Sequence, residues 1–213
     1  MYQNLKGRGV SMHIYSIEHG RRLVKAARNC IELSLIDMHF NKAIITDTLS
    51  EFERPHGVFV TLKHYPTMEL RGCIGFPRAI GPLREALVEA AAAAAFEDPR
   101  FVSVSTKEIG ELLVEISILS SPVAVSGNER ARLNAINVPG DGLMIEYGHY
   151  SGLLLPIVAV EQKWGKRRFL EETCRKAGLN ENYWTQQNVK LYKFETQVFA
   201  EESPDGNVIE ENY

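Results

Sequence analysis

The 213-residue sequence has little cysteine, no long apolar run and no large excess of either charge. Each scarcity excludes something. The three cysteines, Cys30, Cys73 and Cys174, are odd in number and far apart in sequence. They outline no disulfide framework and read as reduced thiols. No stretch reaches the roughly 20 apolar residues that a membrane helix needs. No apolar segment follows a basic start in the manner of a signal peptide. The expected setting is cytoplasmic, with no membrane partner. A net charge of -3 argues against strong nonspecific binding to nucleic acid or anionic lipid, because such binders carry a large positive excess. Phosphate-loop, dinucleotide-loop and metalloprotease motifs and paired C-x-x-C are all missing. The six histidines are scattered without metal-ligand spacing, so the sequence asks for neither a metal nor another cofactor.

What is present fits a soluble globular protein, 45% hydrophobic and 24% charged. The length suits one domain with a smaller lobe. Residues 1–11 are polar and without period, and Met12 is a second candidate for the native start. Ser16 caps an expected helix over 16–41, with Leu23, Ala27, Cys30 and Ile31 as its apolar stripe. Residues 57–62 and 70–75 read as a hairpin joined through Pro66. Gly81 and Pro82 open a helix, with proline at its first position, that ends at Asp98-Pro99. A short helix over 106–112 follows. Residues 114–119 then alternate, Val114, Ile116 and Ile118 to one side and Glu115 and Ser117 to the other.

From 124 to 141 the pattern weakens, which marks a lobe boundary. Residues 142–147 and 153–160 predict a second hairpin, with an edge or bulge at Pro156. A helix over 166–177 ends at Gly178. A last strand runs over 189–201 with a bulge near Leu191 and Tyr192. The mixture predicts an α+β fold: a mixed, largely antiparallel sheet flanked by helices, with two lobes forming a cleft. The larger lobe is expected over 16–122 plus 186–201 and the smaller over 123–185, with tails at 1–15 and 202–213.

The segment 70–75 locates the chemistry. On a regular strand Leu70 and Ile74 face one side, and Arg71 and Cys73 the other. A cation beside a thiol lowers its pKa, which makes Cys73 a candidate nucleophile, with His56 or His64 as base and Arg71 holding an anionic ligand. The alternative is a small core residue at Cys73 and an Arg71 paired with an acid such as Glu115. Gly72 and Gly75 admit a ligand or another backbone. Glu115 and Ser117 share a face and line the same site if their strand joins the sheet. Asp98 braces Arg100 or Arg71, and Phe101 anchors the turn. Residues 163–168 form a basic cluster around Trp164, which either contacts phosphate and stacks a base or sets a core tryptophan beside a solvated helix start. Cys30 and Cys174 lie on apolar stripes and read as core.

These segments together resemble the AMMECR family. The resemblance rests on Gly57 through Thr61, Leu70 through Gly75, Asp98-Pro99-Arg100-Phe101, Asp141-Gly142-Leu143, Gly152 through Pro156, Trp164, Phe169-Leu170 and Cys174 through Leu179. It covers about 16–201 and looks most like stand-alone archaeal members. It implies a two-lobed α+β fold with a cleft near the signature strand, and no settled reaction. It implies a candidate site of Arg71, Gly72, Cys73 and Gly75, supported by Asp98, Arg100, Glu115 and Trp164. Bacterial relatives associated with Memo-like and radical-SAM proteins imply a shared pathway, and transcription, translation or repair roles have been proposed for eukaryotic ones. Ile157 stands where relatives often have Gln, and Val102 where they often have Pro. The expectation is a module that binds a small molecule or a protein partner; the alternatives are a Cys73 enzyme and a nucleic-acid-associated regulator. No oligomeric state is indicated.

Overall fold

The computed structural model describes residues 14–211; the candidate start Met12 lies outside them. The elements in chain order are α1 (Ile17–Ile36), α2 (Ala43–Thr46), β1 (Gly57–His64), β2 (Leu70–Phe76), α3 (Leu83–Phe96), β3 (Leu112–Leu119), β4 (Val123–Ala124), α4 (Glu129–Ala135), β5 (Gly142–Tyr147), β6 (Tyr150–Leu154), α5 (Pro156–Glu161), α6 (Lys166–Lys176), β7 (Lys190–Phe194), β8 (Thr196–Glu201) and β9 (Val208–Glu211). Among the described residues, Ile14–Ser121 and 197–211 form one compact unit, and Pro122–Thr196 form a second. The fold is α+β, with two sheets where the sequence suggested one: β2-β1-β3-β8-β9 in the first unit and β4-β7-β5-β6 in the second. No helix of the described residues is long and apolar enough to cross a membrane.

In the first unit the Ser16 hydroxyl accepts from the His19 N–H, and the His19 side chain reciprocates in a capping box that starts α1. The helix stops at Ile36 rather than 41, because Asp37 turns extended. Pro82 stands just before α3 as its N-cap, one position earlier than expected. The inward residues of α1 and α3 pack on Val58, Val60, Leu62, Val114, Ile116 and Ile118, the apolar face of the β1–β3 sheet. Each fully buried Leu or Val side chain contributes about 1.5–3 kcal/mol through area removed from water.

Three expectations in this unit are corrected. The helix over 106–112 is only a 3-10 turn, Ile109–Glu111. Pairing of Leu112 with His64 draws that residue into β3, and long-range strand pairing overrides the local helical pattern. Residues 202–213 are not wholly a tail, since β9 pairs antiparallel with β8. The stretch 189–201 is two strands in two sheets, β7 and β8, rather than one bulged strand. Residues 186–196 accordingly belong with the second unit.

The second unit packs α5 and α6 with β5 and β7 around Phe169, Leu170, Cys174 and Trp184. β5 and β6 pair antiparallel through Tyr147 and Tyr150. Gly148 in the turn has φ +58°, the left-handed region that glycine enters without strain. Pro156 corrects the expected strand over 153–160. It has no N–H to give a ladder and instead takes the first turn of α5, where none is needed. Gly178 follows α6 with φ +75°, as the sequence indicated.

Candidate functional site

The signature strand is β2, an edge strand of its sheet, antiparallel to β1. Thr61 of β1 stands opposite Cys73 on one side and Glu115 of β3 on the other, so Cys73, Thr61 and Glu115 form one row across three strands. The next row is Gly75, Phe59 and Ser117. Arg71 departs from the simple pattern. The register steps from Leu62 opposite Gly72 to Lys63 opposite Leu70, which leaves Arg71 as the extra residue of a bulge.

The Arg71 side chain is buried, with 6% of its surface exposed. Its Nε and Nη2 donate to the two carboxylate oxygens of Glu108, and Nη2 also donates to the Val102 carbonyl at 2.9 Å. Glu108, not Glu115, is therefore its acid partner. The guanidinium lies 5.8 Å from the centre of the Phe101 ring. Nη1 is buried and has no hydrogen-bond partner. Pairing with Arg71 holds the Glu108 carboxyl below its ordinary range.

Asp98 binds the backbone of Cys73. Its Oδ2 accepts from the Cys73 N–H at 2.8 Å and from Arg100 Nη2 at 2.6 Å, while Oδ1 accepts from Arg100 Nε at 2.9 Å. Arg100 Nη2 returns to the Cys73 carbonyl at 3.3 Å, so the Asp98–Arg100 pair grips both polar groups of one peptide residue. The Arg100 hydrogen bonds hold the Asp98 carboxyl far below the usual carboxylate range. Arg100 also lies 5.4 Å from the Phe101 ring centre.

Burial pushes the Cys73 thiol above its ordinary pKa. A hydrogen bond from Thr61 Oγ1 at 3.4 Å and the charge of Arg100 oppose that rise without overcoming it. The cation acting on the thiol is Arg100 rather than Arg71. Burial likewise raises Cys30 and Cys174 to about 11, and both are wholly buried in their cores. The proposed bases are engaged elsewhere. His56 Nδ1 meets the Leu119 carbonyl, and His64 Nε2 lies 4.0 Å from Glu108.

Glu115 is buried and paired with Lys63, and Ser117 is 1% exposed. The glycines are accounted for by packing. A Cβ at Gly72 would strike the Ala94 carbonyl of α3, and one at Gly75 the Val58 carbonyl of β1. The structure thus gathers Arg71, Gly72, Cys73, Gly75, Asp98, Arg100, Glu115 and Ser117 on or beside three adjacent strands. Trp164 belongs to the second unit, where it packs half-buried against that core. Sequence reasoning missed Thr61, Glu108 and Lys63. Hairpin register offered a signal for Thr61, and none local to the strand existed for Glu108. Among the described residues no cluster of three His, Cys, Asp or Glu side chains is placed to hold a metal ion.

The chain matches the AMMECR1 family model over residues 24–199. A protein of Methanococcus aeolicus is 44% identical over 201 residues, covering 94% of this chain and 100% of the relative. A protein of Methanocaldococcus jannaschii is 45% identical over 201 residues, covering 93% and 98%. The crystal structure of uncharacterized protein PH0010 from Pyrococcus horikoshii is similar with a TM-score of 0.87 at 44% identity, over 92% of this chain and 98% of that one.

Proposed function

The chain belongs to the AMMECR1 family, and from that premise we propose that it works as a binding module whose ligand is held at the Arg71-Gly72-Cys73 strand. The observation that carries this reading is Arg71 Nη1, a buried donor without an acceptor. Leaving such a group unpaired costs about 1–3 kcal/mol, and an incoming acceptor recovers that cost. The neighbouring charges are matched in pairs, Arg71 with Glu108, Arg100 with Asp98 and Lys63 with Glu115. Recognition therefore rests on a directed hydrogen bond more than on net charge. The Phe101 ring lies against both guanidiniums.

A nucleophilic Cys73 is the weaker reading. Its thiol is raised rather than lowered, which keeps the reactive thiolate scarce near neutral pH.

Two measurements test the proposal together. Immobilised wild type, Arg71→Met and Cys73→Ser are exposed to a metabolite extract, and the retained small molecules are read by mass spectrometry. Wild type and Cys73→Ser are expected to retain the same species and Arg71→Met to lose it. Alkylation of Cys73 against pH is expected to give an apparent pKa above that of a free thiol. Equal retention by wild type and Arg71→Met, or a Cys73 pKa well below that value, overturns the binding reading.

A further inference from the structure

Among the described residues the two sheets end in the strands β2 and β9 in the first unit and β4 and β6 in the second. An edge strand offers unpaired N–H and C=O groups to any other extended chain, and native edges are blunted by charge, proline, bulges or shortness. Three of these edges are blunted in that way. β2 carries the bulge at Arg71, and the Cys73 N–H and C=O are taken by Asp98 and Arg100. β9 carries Glu210 and Glu211. β4 is only 2 residues long. β6, Tyr150–Leu154, has no charged side chain, no proline and no break in its register with β5.

The backbone direction of β6 follows from its hairpin. Gly148 and His149 form the loop between the paired residues Tyr147 and Tyr150. In a two-residue hairpin the closing pair exchanges hydrogen bonds, and bonded and unbonded pairs alternate from there. Tyr150, Gly152 and Leu154 are thereby tied to β5, while Ser151 and Leu153 turn their N–H and C=O groups outward. Among the described residues no strand and no side chain takes those groups. Helix α6 covers one face of β6, since a Cβ at Gly152 would strike the backbone of Ala177. Beside that cover Ser151 is exposed, and Tyr150 is 54% exposed.

We propose that β6 pairs with β6 of a second copy of this chain, antiparallel about a two-fold axis at Leu153, so that the two copies share one continuous sheet. A two-fold axis sets a strand against its own reversed sequence. Any charge on the strand would then lie near its own copy, and β6 has none. The same pairing at β9 would bring Glu210 and Glu211 toward their own copies, which is unfavourable. A foreign partner selected by charge would need a charged complement on the strand, and β6 offers none. With the axis at Leu153, that residue and the partner's Leu153 exchange N–H···O=C bonds and add an apolar cross-strand pair. Gly152 then stands opposite the partner's Leu154. This offset separates the two α6 ends, each of which lies over its own Gly152.

The test uses the full chain. Sedimentation velocity over a wide range of concentration is expected to show a monomer–dimer equilibrium. Amide exchange read by NMR is expected to show Ser151 and Leu153 gaining protection as concentration rises, while Gly152, bonded to β5, is protected throughout. Leu153→Lys sets like charges against each other at the axis and is expected to weaken the dimer tenfold or more, as is Leu153→Glu. Mixing the two variants is expected to restore pairing. A chain that stays monomeric at every concentration, a dimer whose Ser151 and Leu153 amides remain unprotected, or variants that fail to pair when mixed would each overturn the proposal. Protection of these amides only on adding another protein would do so too, and would assign the strand to a foreign chain.

Discussion

The two units treat buried charge in opposite ways. In the first, each buried charge meets its opposite. Arg28 of α1 donates from Nε to Glu201 of β8 at 2.6 Å, Arg71 takes Glu108, Asp98 takes Arg100 and Glu115 takes Lys63. In the second, Asp141 is matched by Lys193 at 3.2 Å, but Arg132 is answered only by carbonyl oxygens. Matched charges fix geometry and cancel their own field, so a site built from them recognises shape and hydrogen bonds. An unmatched charge keeps its field and attracts whatever neutralises it.

Removing one half of a matched pair breaks the comparison most severely. Glu201→Leu leaves the buried Arg28 with only the partly exposed Glu32, 3.6 Å away, as counter-charge and deprives the Val114 N–H of the acceptor it meets at 2.9 Å. The expected loss is about 3–5 kcal/mol, measured by denaturant unfolding with hydrogen exchange at β3 as the local report. A loss below about 1 kcal/mol would show that the pair does little.

The same operation in the second unit is expected to cost less. Arg132→Met removes an uncompensated charge, a gain, while the carbonyls of Trp184 and Val189 lose their donor. The net destabilisation is about 1–3 kcal/mol. Both tryptophans lie in this unit, so intrinsic fluorescence follows it selectively. A cost above that of Glu201→Leu would invert the comparison.

Acid gives the smallest and most graded effect. Asp98 and Glu108 have depressed carboxyl pKa values in the folded protein because Arg100 and Arg71 hold them ionised. Their stabilisation is fully present above the unfolded carboxylate range, about pH 4, and disappears as pH falls through the lower folded values. Between pH 5 and pH 2 the Cys73 amide, bound to Asp98, is expected to lose protection against exchange before the amides of β5 do. In Asp98→Asn this difference should shrink. Parallel loss in both units would remove the distinction.

Much of the fold was legible because local patterns carry it. Ser16 before an apolar stripe specified α1, Gly57 through Gly75 the hairpin, and the alternation at Val114, Ile116 and Ile118 the strand β3. The errors arose where pairing between distant segments decides. Residues 189–201 read as one strand because nothing local says that Phe194 and Thr196 serve different sheets. Pro156 read as an edge or bulge within a strand, but the ladder ends at Leu154 and the proline opens α5. Cys73 on β2 and Glu115 and Ser117 on β3 were legible as one face because period two confines them. Glu108 and Arg132 were not, since a charge on a turn or short helix shows neither its burial nor its partner.

The grip of Asp98 and Arg100 on Cys73 has a consequence for self-association. β2 has a neighbouring strand on one side only. An exposed strand border offers its N–H and C=O groups to any other extended chain, which is how sheets grow into aggregates. At the middle of β2 those two groups are already taken by a carboxylate that accepts and a guanidinium that donates. The ion pair imitates the peptide group of a strand that is not there, and closes to template growth the place where the sheet would otherwise continue.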